Sequence, residues 1–245
     1  MNYELDTHTH TIASGHAYNT MCEMAQAAAA KGLKLIGITD HAPKMPGGPH
    51  LFYFTNLLHI DREELSRIYG IEILLGAEAN IMDEKGTLDL NNRALRGLDV
   101  VIASLHIPCF SPGTEDENTQ AVVNALKNPM VDILGHPEDG RYPMNYEAVV
   151  RTAKEQGKLL EINNASFKPG AYRKNGRENG LELLKLCKKY GQPVVVNSDA
   201  HIMTDIGNYT YVQPLLEETE FPEELIANTS VAFFRTMIQK NKRKQ

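Results

Sequence analysis

Short apolar runs alternate with longer amphipathic stretches along this chain. Seven runs read as strands, around 3–8, 33–40, 71–81, 98–106, 131–136, 158–164 and 193–199. Several, such as "LKLIGITD", "LDVVIASLH" and "PVVVNSD", are nearly continuous in Ile, Leu and Val, as expected of parallel strands covered on both faces. Helical patterns fall between them, over 19–31, 55–69, 117–127, 145–156, 176–190 and 229–241. Gly32, Gly70, Gly157 and Gly191 close four of these, and glycine tolerates the left-handed turn that ends a helix. The alternation predicts repeated βα units. No Ser/Gly-rich linker or low-complexity tract interrupts them. The expectation is one domain over 1–245, either an α/β barrel or a doubly wound sheet, with "KNKRKQ" (240–245) as a solvated basic tail.

Composition narrows the function classes. With 245 residues and 42% hydrophobic content, a full core needs no staples. The formal charge of −6 argues against a nonspecific nucleic-acid surface. A small anionic substrate stays compatible, because a metal site reverses the local field. Cys22, Cys109 and Cys187 are scattered and odd in number, which points to free thiols in a reducing compartment. The first residues carry acids and histidines where a secretory signal needs a basic and then an apolar run. No apolar run is long enough to span a membrane. The expectation is a cytoplasmic protein without a membrane partner; a homo-oligomer is compatible with all of this.

The unusual polar residues concentrate at strand ends, which form the functional face of such folds. "THTH" ends the first strand, "TDH" the second, "EAN" the third, "SLH" the fourth, "LGH" the fifth, "EINN" the sixth and "NSDAH" the seventh. Each piece alone has a bland reading. His8 and His10 could be surface residues, though alternation on a strand points both to one side. Asp40 could cap a helix, Glu78 could serve a salt bridge, and His106 or His136 could be a hydrogen-bonded core histidine. Jointly the bland readings are weak. Seven histidines with Glu78 and Asp199 exceed what one ion accepts and suit a multinuclear centre with Glu78 or Asp199 bridging. Imidazole with carboxylate favours zinc, manganese or iron over magnesium or calcium. Asp40 would orient a histidine from behind. Arg141, Lys168, Arg173 and Lys174 lie in loops after ligand-bearing strands; each could be an ordinary solvated base, and the first three are the candidates for contacting an anionic substrate.

The ordered set "HTHTIASGH", "TDH", "EAN", the two strand-end histidines, "EINNASF" and "SDAH" resembles the PHP (polymerase and histidinol phosphatase) superfamily, most closely its YcdX-like stand-alone phosphatases. The resemblance implies a distorted (β/α)7 barrel holding three divalent ions, zinc in the first place and manganese or iron as alternatives. It implies one ion on His8, His10, Glu78 and Asp199, a second on Glu78, His106 and His136, and a third on His16, His41 and His201. His50 and His59 match none of its motifs; the loop "APKMPGGPH" (42–50) would form a wall or lid, and His59 would be a helix residue. The implied reaction is hydrolysis of a small phosphorylated substrate, a phosphate monoester, by a metal-activated hydroxide, with Glu78, Asp199 and Asp40 as the catalytic carboxylates. Three rival readings exist. A nuclease would want a basic groove. A metal-dependent amidohydrolase shares H-x-H but does not require the whole set. A non-catalytic metal-binding module would keep the ligands without turnover.

Overall fold

The computed structural model describes residues 1–242, with side chains through residue 238. The side chains of the basic tail at 240–245 lie outside the described residues. The chain runs β1 (Leu5–Asp6), α1 (Met21–Ala30), β2 (Leu35–Ile38), α2 (Leu51–Asn56), α3 (Arg62–Tyr69), β3 (Glu72–Leu75), β4 (Ala77–Asn80), α4 (Asn92–Arg96), β5 (Val101–Ser104), α5 (Glu115–Leu126), β6 (Ile133–Leu134), α6 (Tyr146–Gln156), β7 (Leu159–Asn163), α7 (Gly176–Tyr190), β8 (Val194–Asn197), α8 (Gln213–Glu218) and α9 (Val231–Lys242). All strand pairs are parallel. They form two arcs, β1-β2-β3 and β4-β5-β6-β7-β8.

The arcs meet at both seams through isolated parallel bridges, His41↔Glu78 and Thr9↔Ala200, rather than through full ladders. This is the distorted barrel. The run 71–81, expected as one strand, is broken at Gly76. Its register against β2 nevertheless carries through the break, from Leu35↔Glu72 to His41↔Glu78. The break has a steric cause. At Gly76 the backbone passes so close to the Val100 carbonyl that any side chain would collide with it. The two halves therefore occupy one strand position, and seven positions remain around the barrel.

Strand composition follows from burial on two faces. Leu160, Ile162, Val194 and Val196 face outward and pack with Val149, Leu183 and Leu184 of α6 and α7. Ile36, Ile38, Ile73 and Leu75 pack with Met24, Ala25 and Ala28 of α1. Leu5, Leu35, Leu74, Ile133, Leu159 and Val195 form a separate inner layer, closed by Phe234 and Met237 of α9. Each such buried side chain contributes about 1.5–3 kcal/mol relative to exposure. The interior is thus apolar where α9 closes it, and polar residues take over toward the carboxyl ends of the strands.

The helices differ from expectation in three places: the short helices α4 and α8 fall where none was expected, and one expected helix is divided. The pattern over 55–69 splits into α2, a short 3₁₀ turn at Leu57–His59, and α3. Asp61 takes the N-cap of α3 by accepting the Glu64 N–H, and Ile60 is extended before it. His59 is therefore an exposed turn residue, and His50 is an exposed cap of α2 that accepts the Phe52 N–H. The loop expected as a wall packs against the histidine-bearing loop, because Gly47 sits directly on Gly15, where a Cβ would strike the Gly47 carbonyl.

Candidate metal centre

Nine side chains delivered by six strand positions converge at the carboxyl ends of the strands. Glu78 is at the middle. Its Oε1 faces His8 Nε2 at 3.3 Å, His106 Nε2 at 3.2 Å and His136 Nε2 at 2.9 Å. Its Oε2 faces His41 Nδ1 at 2.6 Å and His10 Nε2 at 3.7 Å. Asp199 Oδ1 is 3.2 Å from His10 Nε2, 3.7 Å from His8 Nε2 and 3.6 Å from His201 Nδ1. The outer end of the cluster is a stack of rings. His16 lies 4.9 Å from His41 and 4.8 Å from His201, centroid to centroid. Three groups of donor atoms are close enough to share an ion: His8, His10 and Glu78; His41, Glu78 and His106; and His10, His41 and His201. His16 is exposed, and its Nε2 lies 3.1 Å from Nε2 of His201.

The opposite ring nitrogens fix which atoms point inward. His8 donates from Nδ1 to Glu161 Oε1 at 2.7 Å, and His106 from Nδ1 to Asn80 Oδ1 at 2.7 Å. His201 donates from Nδ1 to the Asp199 carbonyl at 2.9 Å. Ser14 gives its hydroxyl proton to Asp40 at 2.7 Å and so accepts from His10 Nδ1 at 3.2 Å and from the His41 N–H at 3.0 Å. In the neutral tautomers these bonds select, the Nε2 lone pairs of His8, His10 and His106 point into the cluster. The carboxylate oxygens they face also carry lone pairs. Among the described residues, His8 Nε2, His10 Nε2, His106 Nε2, His41 Nδ1 and Glu78 Oε2 are buried without a hydrogen-bond partner. Lone pairs that converge in a buried space repel unless a cation lies between them. The donor set therefore fits divalent ions with borderline-soft preferences.

Among the protein's own groups the charges compensate one another: burial lowers His8, but Glu161, Glu78 and Asp199 outweigh it and hold it well above the usual imidazole range, with a proton that metal binding would displace. Burial pushes the Glu78 carboxyl up, but His106, His8 and His41 outweigh it and hold it well below the usual carboxylate range. Asp199 is likewise raised by burial and carried well below by His8, His10 and Arg173. Burial, together with His41 and His201, holds His10 well below the usual imidazole range. Ionised carboxylates and a neutral imidazole are the ligating forms.

Asp40 reaches the cluster through Ser14 rather than by touching a ring. Its other oxygen accepts the Tyr53 hydroxyl at 2.7 Å. Arg173 is buried: it gives Nη2 to Asp199 Oδ2 at 2.9 Å and Nη1 to Asn163 and Ser166. Arg141 is half-buried and holds Asp139 through Nε and Nη2, while Lys168 is exposed. Cys109 has its thiol pushed up to about 11 by burial and by Asp89 and Glu78, so it is no activated nucleophile. Two residues of the cluster, His136 (φ 31°) and Asp199 (φ 56°), hold left-handed backbone conformations. Such strain costs about 1–3 kcal/mol each and persists where the surroundings over-determine it; at His136 the N–H is anchored on Glu161 Oε2 at 2.7 Å.

Glu161, Asn80 and Ser14 lie inside the motifs "EINN", "EAN" and "HTHTIASGH", but the motifs give them no role. Glu161 carried a signal in the sequence, as an acid inside the apolar run "KLLEINN" whose neighbours Leu160 and Ile162 face the helices.

The same residues can be set against known proteins. The PHP domain profile matches residues 6–165, and a PHP-associated profile matches 177–228. A protein of Clostridium novyi named a probable phosphatase is 49% identical over 94% of this chain and 91% of its own length. One of Caldanaerobacter subterraneus, with the same name, is 50% identical over 98% and 92%. The histidinol phosphate phosphatase of Lactococcus lactis, solved with zinc, L-histidinol and phosphate, shares the fold with a TM-score of 0.61 at 19% identity, covering 90% of this chain and 95% of that one. Profile, relatives and fold agree, and the chain belongs to the PHP domain family.

Proposed function

We propose that this centre hydrolyses phosphate monoesters with three divalent ions, zinc first and manganese or iron as alternatives. The observation that carries the reading is the set of buried ring nitrogens of His8, His10, His41 and His106 that converge around Glu78 without a hydrogen-bond partner. The names of the relatives supply the reaction class. His8, His10, Glu78 and Asp199 would hold one ion; Glu78, His106 and His136 the second; His16, His41 and His201 the third. Bound ions of this kind acidify water and neutralise phosphate oxygens.

The chain's own groups do the positioning. Glu161, Asn80 and the Asp40–Ser14 pair hold His8, His106 and His10 in the tautomers that face inward. Arg173 fixes Asp199. Arg141 and Lys168, on loops after ligand-bearing strands, would contact a small phosphorylated substrate. In the reaction a water oxygen bonds to phosphorus, the ester P–O bond breaks, and the leaving oxygen takes a proton. Cys22, Cys109 and Cys187 are free thiols, which supports a cytoplasmic setting. Among the described residues no helix is long and apolar enough to cross a membrane.

The test is phosphate release from a panel of phosphate monoesters, using protein stripped by chelator and resupplied with zinc, manganese or iron. Release that returns with metal is expected. No release from any ester with any metal, or cleavage of single-stranded DNA or an amide instead, would overturn the reading.

A further inference from the structure

Large apolar side chains stand exposed at the carboxyl ends of the strands, around a centre built of charge. Ile12 and Tyr18 follow β1, Ile107 follows β5, Tyr172 follows β7, and Ile202 and Met203 follow β8. Each is within two positions of His10, His16, His106, Arg173 or His201 in the chain. Consecutive Cα atoms are about 3.8 Å apart, so each Cα lies within about 8 Å of that of a cluster histidine or, for Tyr172, of Arg173, which binds Asp199. Exposed apolar groups gathered at one mouth mark a surface that something covers.

Tyr172 has the most defined setting. The residue is 66% exposed, yet its ring does not hang free. The Arg141 guanidinium packs on it at 4.6 Å from the centroid, and that of Arg173 at 5.3 Å. Arg173 in turn binds Asp199 at 2.9 Å. One guanidinium therefore separates a flat aromatic surface from a carboxylate of the metal centre. Cation–π contacts fix the ring before any ligand arrives, which lowers the ordering cost of binding. A fixed, exposed, flat ring favours another flat ring, offset or edge-on, over a puckered one. The separation also sets a reach, in which the partner ring follows the ester oxygen by an atom or two.

We propose that Tyr172 is a specificity-determining residue, and that the site takes phosphate monoesters whose leaving group carries a planar aromatic or heteroaromatic ring close to the ester oxygen. The inference rests on the phosphoesterase reading for the reaction, but the stacking itself is tested by binding. The probes are 2-phenylethylphosphonate and 2-cyclohexylethylphosphonate, which match benzyl and cyclohexylmethyl phosphate with CH2 in place of the ester oxygen, share size and charge, and differ in planarity. Their affinities are measured by calorimetry on metal-loaded wild type, Tyr172→Phe and Tyr172→Leu, with melting curves to establish folding. Hydrolysis of the two corresponding phosphate esters is compared in parallel.

Wild type and Tyr172→Phe should prefer the flat ligand by roughly two- to tenfold, the range of an aromatic pair. In Tyr172→Leu the ratio should fall toward one. The ester kcat/KM ratio should follow the same order. Equal affinities in wild type, or a preference that survives Tyr172→Leu, would overturn the proposal. If the preference is present and lost in Tyr172→Leu while neither ester is hydrolysed, the aromatic subsite stands and the phosphoesterase reading falls.

Discussion

The two oxygens of Glu161 receive four donors. Oε1 accepts from His8 Nδ1 and Asn197 Nδ2; Oε2 accepts from the His136 N–H and Asn163 Nδ2. One buried carboxylate thus sets the tautomer of one cluster histidine and the strained backbone of another. Glu161→Gln keeps the shape but turns an NH₂ group toward two donors, which a side-chain amide cannot accept. Turnover should fall about 10- to 100-fold with metal held more weakly, as for other groups that orient ligating histidines. Phosphate release and metal content on the same sample check this; full activity with full metal would show that Glu161 is only core. The reason the motif gives Glu161 no role is physical. A group acting through another side chain is identified by the bond it makes, and "EINN" does not say which way the carboxylate turns. The same holds for Ser14, whose value lies in standing between Asp40 and His10. His8, His10, His41, Glu78 and Asp199 were legible because strand ends in βα folds converge, so sequence position already implies placement.

At the scale of elements, the strand carrying Glu78 depends on Gly76. A methyl group there would meet the Val100 carbonyl and side chain, and backbone cannot step aside as a flexible side chain can. Gly76→Ala should cost about 1–3 kcal/mol, as overpacking does, and should disturb the Glu78 end of the strand. A melting curve and the retained activity test both parts; an unchanged midpoint would contradict the steric account. Hydrophobic pattern revealed the strand but not the break, because "ILLGAEAN" reads as continuous while the obstacle comes from residues about 25 positions away. The division of 55–69 was legible in principle. Asp61 is a capping residue followed by Glu63 and Glu64 in a first turn, but the helical periodicity runs on across it. Asp61→Ala should cost α3 about 1 kcal/mol with little change in turnover. A loss of activity beyond that of stability would mean that α3 does more than pack.

On the scale of the whole molecule, the centre joins segments from His8 to His201, so whatever fills it ties both arcs of the barrel together. Ions that bind only the folded chain stabilise it by mass action, about 2.7 kcal/mol per site at a concentration 100 times the dissociation constant. Chelation should therefore lower the melting temperature, and zinc or manganese should restore it. An unchanged midpoint after verified removal would separate the cluster from fold stability. The acidic surface, formally −6 overall, leaves substrate attraction to the centre itself. The central claim is that Glu78 is the shared ligand of a trinuclear centre. Its most direct test is the metal-to-protein ratio, by elemental analysis, of wild type and Glu78→Gln purified without chelator, with His59→Gln as control. The account predicts three ions in wild type and in the control, and at least one fewer in Glu78→Gln, whose amide nitrogen offers no lone pair to a second ion. A wild-type ratio of one or none, or a Glu78→Gln protein that keeps all three, would contradict it.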